Sequence, residues 1–397
     1  MKRDGWVAAC SAVTIAAALL ACGADGERGA GGAYDAGGDA RFVVDADGVF
    51  RDASELFDGG GGLVPLVFPA HPPDFPAHFS SVTPPAMVAR LDDLCAIDTG
   101  SASSVPSVTL CPKGGAPLVS SPPNLMVVDA QNATVLWVAS LDITHAVKVS
   151  GARALAIVSA GELALDAPID LSARGASAGP GARDVGAGVG SVSPCDGGAA
   201  GASAGAGFGG DGGAAPGVSG GAFYGGDAGM FVGGSRGGGA CVTGGGGGGA
   251  LQLSSATSLL VLPAGSLRAA GGGGTGGAGS SAGGGSGGEI FLESLAAFLV
   301  STDVSANGGG GGGAGIMNGS DGRTSQTPAS GGFAGDGGAN GGRGGVAAIA
   351  PTDGVADITN TSLNGGGGGA AGRIWLRSLK VPTGTPSFSP APVVLTF

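Results

Sequence analysis

Charge and aromatic rings are scarce in this chain. Only 12% of the residues are Asp, Glu, Lys or Arg, and only 5% are Phe, Trp or Tyr. The charge that exists has the wrong sign for nucleic acid: 18 Lys and Arg stand against 30 Asp and Glu, for a formal net charge of −12. Phosphate backbones are held by clustered cations, so nucleic acid is not an expected partner. Histidine occurs three times and no Cys-x-x-Cys pair exists, which leaves no zinc-site spacing and no expected cofactor. No apolar run reaches the roughly 18–20 residues that cross a bilayer as a helix. Low charge with positive mean hydropathy also argues against a wholly disordered chain.

What is abundant is glycine. The 397 residues include 89 Gly and 23 Pro, a glycine usage about three times the average. The glycines lie in long tracts, and the apolar residues are concentrated in strand-like blocks between them.

The start of the chain is patterned for export. Lys2 and Arg3 precede the apolar run Val7–Leu20, a length suited to the hydrophobic part of a signal peptide. The run ends in Leu19-Leu20-Ala21-Cys22. That ending looks like the lipobox of bacterial lipoproteins, in which the cysteine is lipidated and becomes the new N-terminus. Residues 1–21 are then a signal peptide and Cys22 a lipid anchor. Gly23 at the next position favours the outer membrane, by resemblance to lipoprotein sorting in enteric bacteria. Residues 22–62 read as a flexible Gly- and Asp-rich tether. Residues 63–94 form a Pro-rich lead-in, whose prolines exclude a helix that could bring His71 and His78 together. Once Cys10 is removed and Cys22 lipidated, Cys95, Cys111, Cys195 and Cys241 remain. An even number in an exported chain suggests disulfides; three pairings are open, and the sequence-local Cys95–Cys111 and Cys195–Cys241 are favoured.

Residues 95–397 carry a repeat. In Ala250–Gly271, Leu251/Leu253, Leu259/Val261 and Leu267/Ala269 follow at steps of eight, and residues two apart on a strand share a face. Leu155/Ile157, Leu163/Leu165 and Leu171/Ala173 do the same, as do Ile290/Leu292, Phe298/Val300 and Val304/Ala306. Arg373-Ile374-Trp375-Leu376-Arg377-Ser378 opens a fourth copy resembling Glu289-Ile290-Phe291-Leu292-Glu293-Ser294. Upstream, Val135/Trp137, Leu141/Ile143 and Val147/Val149 extend the series, with His145 facing outward. Three-strand units of this size must stack to bury their apolar faces. The expected fold is therefore all-β, a single-stranded parallel β-helix (solenoid). An immunoglobulin-like sandwich is the rival, but it predicts hairpins and no internal repeat. Val393–Phe397 is expected to cover the end of the stack.

Gly-rich inserts at 175–249, 271–288 and 308–372 separate the copies. Each leaves after a third strand and returns before a first strand, so all three should emerge from one edge and lie side by side. They are either a packed slab of extended threefold strands, with backbones close because glycine has no Cβ, or solvated loops. Two near copies, Gly207–Ala214 and Gly332–Ala339, resemble the calcium-binding Gly-Asp nonapeptides of secreted toxins. Each occurs once, without tandem neighbours, so Asp211 and Asp336 are weak calcium candidates. A Phe anchor, Phe208 or Phe333, is the other reading.

Cys95-Ala-Ile-Asp-Thr, Ala-Leu-Ala-Ile-Val-Ser-Ala-Gly, Ile-Asp-Leu-Ser-Ala-Arg-Gly and Gly-Gly-Ser-Gly-Gly-Glu-Ile-Phe-Leu-Glu-Ser together resemble the Gly-rich, repeat-containing exported lipoproteins of myxobacteria and related predatory soil bacteria. The resemblance covers roughly Cys95–Ser378. It implies a surface lipoprotein with a β-solenoid, and it supplies no catalytic residues. The function expected is non-enzymatic: a lipid-anchored structural or adhesion protein of the outer membrane and cell surface. Its partners are then the membrane and either surface polysaccharide or other surface proteins, with the periplasmic face as the alternative location. A polysaccharide-binding or polysaccharide-degrading β-helix enzyme is a second reading and a disordered Gly-rich brush a third. The enzyme would need paired carboxylates. Asp142, Glu162, Asp166, Asp170, Glu289 and Glu293 are the candidates, read more simply as solvated outward positions.

Overall fold

The computed structural model describes residues 93–396, except 113–115, 123, 129–131, 187, 193–200, 202, 226–230, 240–241, 278–279, 335–338 and 357–362. It also describes two strands at 42–44 and 50–52. The chain divides after Ala40, and all described residues belong to the unit Arg41–Phe397. Among them there is no helix, and the fold is all-β. Within the segment read as a flexible tether, β1 (Phe42–Val44) pairs antiparallel with β2 (Phe50–Asp52).

Four strands come first: β3 (Leu94–Asp98), β4 (Ser107–Leu110), β5 (Leu118–Ser120) and β6 (Leu125–Val128). Triplets follow. They are β7 (Ala133–Val138), β8 (Leu141–Ile143), β9 (Val147–Ser150), then β10 (Ala154–Ser159), β11 (Leu163–Leu165), β12 (Pro168–Asp170), then β13 (Ala250–Ser255), β14 (Ser258–Val261), β15 (Ser266–Arg268). The short antiparallel pair β16 (Gly276–Gly277) and β17 (Ser280–Ser281) intervenes. The chain then forms β18 (Glu289–Ser294), β19 (Ala297–Val300), β20 (Asp303–Ser305), and finally β21 (Arg373–Ser378), β22 (Ser387–Ser389) and β23 (Val393–Thr396).

Each of the first four triplets contributes one strand to each of three sheets. The seven-stranded sheet runs β23-β21-β18-β13-β10-β7-β6, the four-stranded sheet β19-β14-β11-β8, and the eight-stranded sheet β22-β20-β15-β12-β9-β3-β4-β5. Every ladder between successive triplets is parallel, whereas a sandwich would pair its strands antiparallel. In the last layer a single bridge, Thr383 to Leu299, takes the place of a middle strand.

The repeat sets the core. Leu155, Leu251, Ile290 and Ile374 stand opposite one another in successive layers, as do Ile157, Leu253, Leu292 and Leu376. With Leu163, Leu259 and Phe298 from the second sheet and Ile169, Leu267 and Val304 from the third, they form one buried aliphatic interior. The first layer departs from the expected phase. Leu155 and Ile157 pair with Thr134 and Leu136, so Leu136 and Val138 point inward while Val135 and Trp137 point outward into a second apolar cluster. All six residues of β7 are buried, and a strand buried on both faces has no polar alternation to mark its register. The last strand covers the end of the stack as expected: β23 pairs in parallel with β21 and forms the terminal strand of the seven-stranded sheet.

The Gly-rich inserts contain few strand ladders, yet many of their described backbone N–H groups donate to carbonyls of neighbouring runs. Along 282–288 the N–H groups donate in rotation to three neighbours. Ala282, Gly285 and Gly288 donate to Thr275, Gly272 and Ala269; Gly283 and Ser286 to Gly238 and Ser235; Gly284 and Gly287 to Gly367 and Ala370. A period of three is that of the extended polyproline II helix, which makes no hydrogen bonds within itself and leaves its backbone free for neighbours. The rotation recurs in the third insert, where Gly308, Gly311 and Ala314 donate to Gly345, Gly342 and Ala339 while Gly309 and Gly312 donate to Gly285 and Ala282. Runs from all three inserts thus interlock as a packed slab. The approach is so close that a Cβ on Gly283 would stand 1.8 Å from the Ala204 carbonyl oxygen.

Candidate functional site: the charged outer face of the seven-stranded sheet

The outer face of the seven-stranded sheet is covered, unlike the alternately exposed β9 of the eight-stranded sheet. Val135, Trp137, Ala156 and Val158 pack there with Phe231 from the first insert, and Phe291 and Trp375 pack with Val393 and Leu395. Between these apolar groups lie two pairs of charges. Strand alternation puts Glu289, Phe291 and Glu293 of β18 on this face, opposite Arg373, Trp375 and Arg377 of β21. Two carboxylates therefore meet two guanidinium groups across one ladder, with two aromatic rings between them.

These groups are outward but not solvated, which corrects the expectation for Glu289 and Glu293. Glu289 is 3% exposed, and Glu293 and Arg377 are each 1% exposed. Arg377 Nη1 lies 3.2 Å from Glu293 Oε1. Ser254 Oγ donates to Glu293 Oε2 at 2.8 Å and itself accepts from Gln252 Nε2 at 2.9 Å. Glu289 Oε2 accepts the Val232 backbone N–H at 3.3 Å. Burial pushes the Glu289 carboxyl up to about 8, against the opposing pull of the Val232 and Trp375 hydrogen bonds and the Arg373 charge. Burial likewise raises Glu293 to about 7, against the Ser254 hydrogen bond, and lowers Arg377 to about 10. Arg373, whose guanidinium lies 5.1 Å over the Phe223 ring, is lowered by burial and raised by Glu289. Nearby, Tyr224 donates to the Gly233 carbonyl at 2.8 Å and accepts from Ser235 Oγ at 2.8 Å; burial raises it to about 12.

This geometry does not suit glycoside hydrolysis. Glu289 and Glu293 are four residues apart on one strand, roughly 13 Å at about 3.3 Å per residue. Hydrolase carboxylates stand about 5–9.5 Å apart around the scissile bond. Glu162 and Asp166 do not share a strand, because β11 covers only Leu163–Leu165; Glu162 instead accepts a hydrogen bond from Ser258 Oγ. Asp142 stands opposite Ala164, and Asp170 is paired with Arg174 at 3.0 Å. What the face can do is hold β18 and β21 in register, with a strength that depends on protonation.

The other sequence-predicted positions are scattered. Cys95 and Cys111 are disulfide-bonded, with Cα atoms 5.8 Å apart. Cys22, Cys195, Cys241, Asp336, His71 and His78 lie outside the described residues. Asp211 Oδ1 accepts the Phe223 N–H at 2.7 Å. Among the described residues no group of three or more His, Cys, Asp or Glu is placed to hold a metal ion. The two Gly-Phe copies diverge: Phe208 is buried against Tyr224 with ring centroids 4.9 Å apart, whereas Phe333 is 64% exposed. Only the first is an anchor. His145 is exposed, 4.0 Å from the Asp93 carboxylate. Sequence reasoning missed Arg373 and Arg377 as ionic partners, although the alternation Glu-Phe-Glu against Arg-Trp-Arg was a usable signal. Comparison with protein-family models, with curated proteins and with solved structures finds no match.

Proposed function

We propose that this chain is an exported, lipid-anchored structural protein that holds a stiff body off a membrane and acts by contact, not by catalysis. In this reading Cys22 carries the lipid, residues 22–62 form the tether, and the strand triplets are successive turns of a single-stranded parallel β-helix. The repeated order of the three sheets and their parallel ladders support that description. The observation that carries the function is the hydrogen-bonded union of three inserts that leave different layers. Such a body is built from backbone, presents few side chains for chemistry, and suits spacing or adhesion. Its partners would be a surface polysaccharide or another surface protein of the outer membrane.

Protease shaving of intact cells, read by mass spectrometry alongside Cys22→Ser, tests the placement. Release of Gly-rich fragments from intact cells and loss of membrane retention in the variant are the expected results. Fragments protected until the outer membrane is broken would move the protein to the periplasmic face. A glycan panel separates contact from catalysis: binding without release of oligosaccharides is expected, and release would overturn the non-enzymatic reading.

A further inference from the structure

The glycine runs leave the strand stack and return to it, and their far turns meet at one end of the bundle. The run that starts at Gly308 reaches Ala314 after six residues, about 19 Å at the rise of a polyproline II helix. The run returning to β21 lies antiparallel to it, with Gly366 donating to Gly312 and Gly369 to Gly309. The turn 313–317 therefore stands at the outer end. Gly313 donates to the Met317 carbonyl at 3.0 Å, and Gly315 donates to the Gly313 carbonyl at 2.8 Å. A Cβ on Gly313 would stand 3.0 Å from the Phe333 carbonyl carbon, and one on Gly276 would stand 2.3 Å from the Met317 oxygen. Asn340 ties in the next turns: its Oδ1 accepts from Ala334 at 3.0 Å and its carbonyl from Val355 at 3.0 Å. Turns from the second and third inserts are thus gathered side by side.

These turns hold apolar side chains out in water. Ile316 is 84% exposed, Met317 53% and Val355 54%, and Phe333 is exposed beside them. Among the described residues of the turns, 274–277, 280–282, 313–319, 332–334 and 354–356, there is no Asp, Glu, Lys or Arg. The charges that border them in sequence, Asp321, Asp336, Asp353 and Asp357, are all acidic, and Asp336 and Asp357 lie outside the described residues. Asn318 and Asn340 spend their side-chain oxygens on the N–H groups of Gly276 and Ala334. The end of the bundle is therefore apolar and neutral, on a backbone already fixed by hydrogen bonds, so presenting it to a partner costs little further ordering.

We infer that this end is a lipid-contacting tip: Ile316, Met317, Phe333 and Val355 dip into the surface of a bilayer of zwitterionic lipid. Exposed apolar side chains gathered at one place mark an interaction surface. Four of them fall far short of the roughly 20–30 residues a side that a stable protein interface buries. A bilayer asks for no shape complementarity, and side chains entering it gain by leaving water alone. The acidic border offers anionic headgroups no attraction. The inference goes beyond the anchored-spacer reading and does not rest on Cys22, because the tip lies in the inserts and the tether at the other end of the chain.

The test uses the whole mature chain, residues 22–397 carrying Cys22→Ser, so that neither a signal segment nor an acyl group can hold it to lipid. Flotation with phosphatidylcholine vesicles reads the partitioning. Ile316→Ser/Met317→Ser/Phe333→Ser is compared with Val105→Ser/Val381→Ser, which alters exposed valines of the β3–β4 and β21–β22 connections. The starting chain is expected to float, the tip variant to lose about tenfold or more in partitioning, and the control to match the starting chain. A starting chain that stays in solution overturns the inference and leaves the anchor reading untouched. Unchanged flotation of the tip variant, or an equal loss in the control, overturns it as well. So does flotation that needs added phosphatidylglycerol, because charge would then be the cause. So does a mass that doubles with concentration in the absence of lipid and is lost in the tip variant, because the end would then belong to a second copy. Phe333→Trp supplies a reading that removes nothing. Its fluorescence should be quenched by lipids brominated on the acyl chains while the buried Trp137 and Trp375 are spared; an unquenched Phe333→Trp in vesicle-bound protein refutes the tip.

Discussion

Replacing Gly285 with Ala tests the packing of the bundle most directly. A Cβ there would stand 2.0 Å from the Gly246 carbonyl oxygen, 2.5 Å from its carbon and 2.7 Å from the Gly245 oxygen. These are backbone atoms and cannot swing aside. Restoring an ordinary van der Waals contact needs a displacement of roughly 1 Å or more. The run is not free to make it. Gly285 donates to Gly272 at 2.9 Å, accepts from Gly309 at 2.9 Å, and lies between Gly283 and Ser286, which accept from Gly245 and Gly248, each at 2.9 Å. A shift of that size lengthens two to four of these bonds beyond use, at about 0.5–1.5 kcal/mol each, and more where a buried group is left unmade.

The expected loss is about 3 kcal/mol, after allowing about 0.4–1 kcal/mol in the other direction for the stiffer unfolded chain. At about 2–4 °C per kcal/mol for larger domains, the melting temperature should fall by roughly 6–12 °C. Gly210→Ala is the control, because nothing lies within 4 Å of its Cβ position; it should leave stability unchanged or raise it by less than about 1 kcal/mol. Thermal melts by circular dichroism read the difference, and amide exchange at Gly272, Gly283 and Gly309 locates it. If Gly285→Ala melts together with Gly210→Ala, the bundle is not close-packed and the argument from backbone approach is wrong.

Three further outcomes follow from the charged face and the disulfide. Glu289 is raised to about 8 by burial, so the folded state holds its proton more tightly than the unfolded state, where the value is near 4.3. The associated stability is complete below the unfolded value and is lost as pH rises towards 8, with a slope of at most about 1.4 kcal/mol per pH unit. Denaturant melts between pH 5 and 9 should show that fall with Arg373 and Tyr224 in place; Glu289→Gln should remove the part that persists between pH 7 and 8 and leave the part from Glu293, which burial raises to about 7. Glu293→Leu alone leaves the Arg377 guanidinium buried opposite an apolar group and should cost about 3–5 kcal/mol, whereas Glu293→Leu/Arg377→Met should recover most of it; equal losses in the single and double variants would refute the pairing. Cys95→Ala/Cys111→Ala opens a loop with a sequence separation of 16 and should lower stability by about 3 kcal/mol, measured against the oxidised protein.

The stacking order was legible because it is written twice. The eight-residue step of Leu251/Leu253, Leu259/Val261 and Leu267/Ala269 marks one strand per sheet, and the same inward pairs recur in each layer. The phase of β7 was not legible, because Val135 and Trp137 are as apolar as Leu136 and Val138. Burial of Glu289 and Glu293 escaped for a related reason. A charged residue between inward aliphatics normally faces water, and nothing local in β18 states that its outer face is covered. The inserts lay between these cases. Their common edge followed from register alone. Their packing did not, because a glycine run has no side-chain pattern to show which neighbours it meets.

The attachment of the inserts explains how so much glycine can be ordered. Fixing a glycine backbone loses more conformational entropy than fixing any other residue, and long loops held only at their ends would remain mobile. Here each insert begins and ends beside a ladder. Ala173 donates to Ala270, Gly271 to Asn307, and at the returning side Glu289 donates to Gly249 and Arg373 to Gly288. The parallel strands therefore deliver the first and last residues of neighbouring runs side by side, already in register. Each further hydrogen bond then orders about one residue next to a residue already ordered, the same economy that lets a helix grow once nucleated. The bundle and the stack are mechanically one object, so a substitution at Gly285 in the bundle should be felt in the amide protection of β13 and β18. The leucine ladders of the core, in turn, set the spacing at which the glycine runs meet.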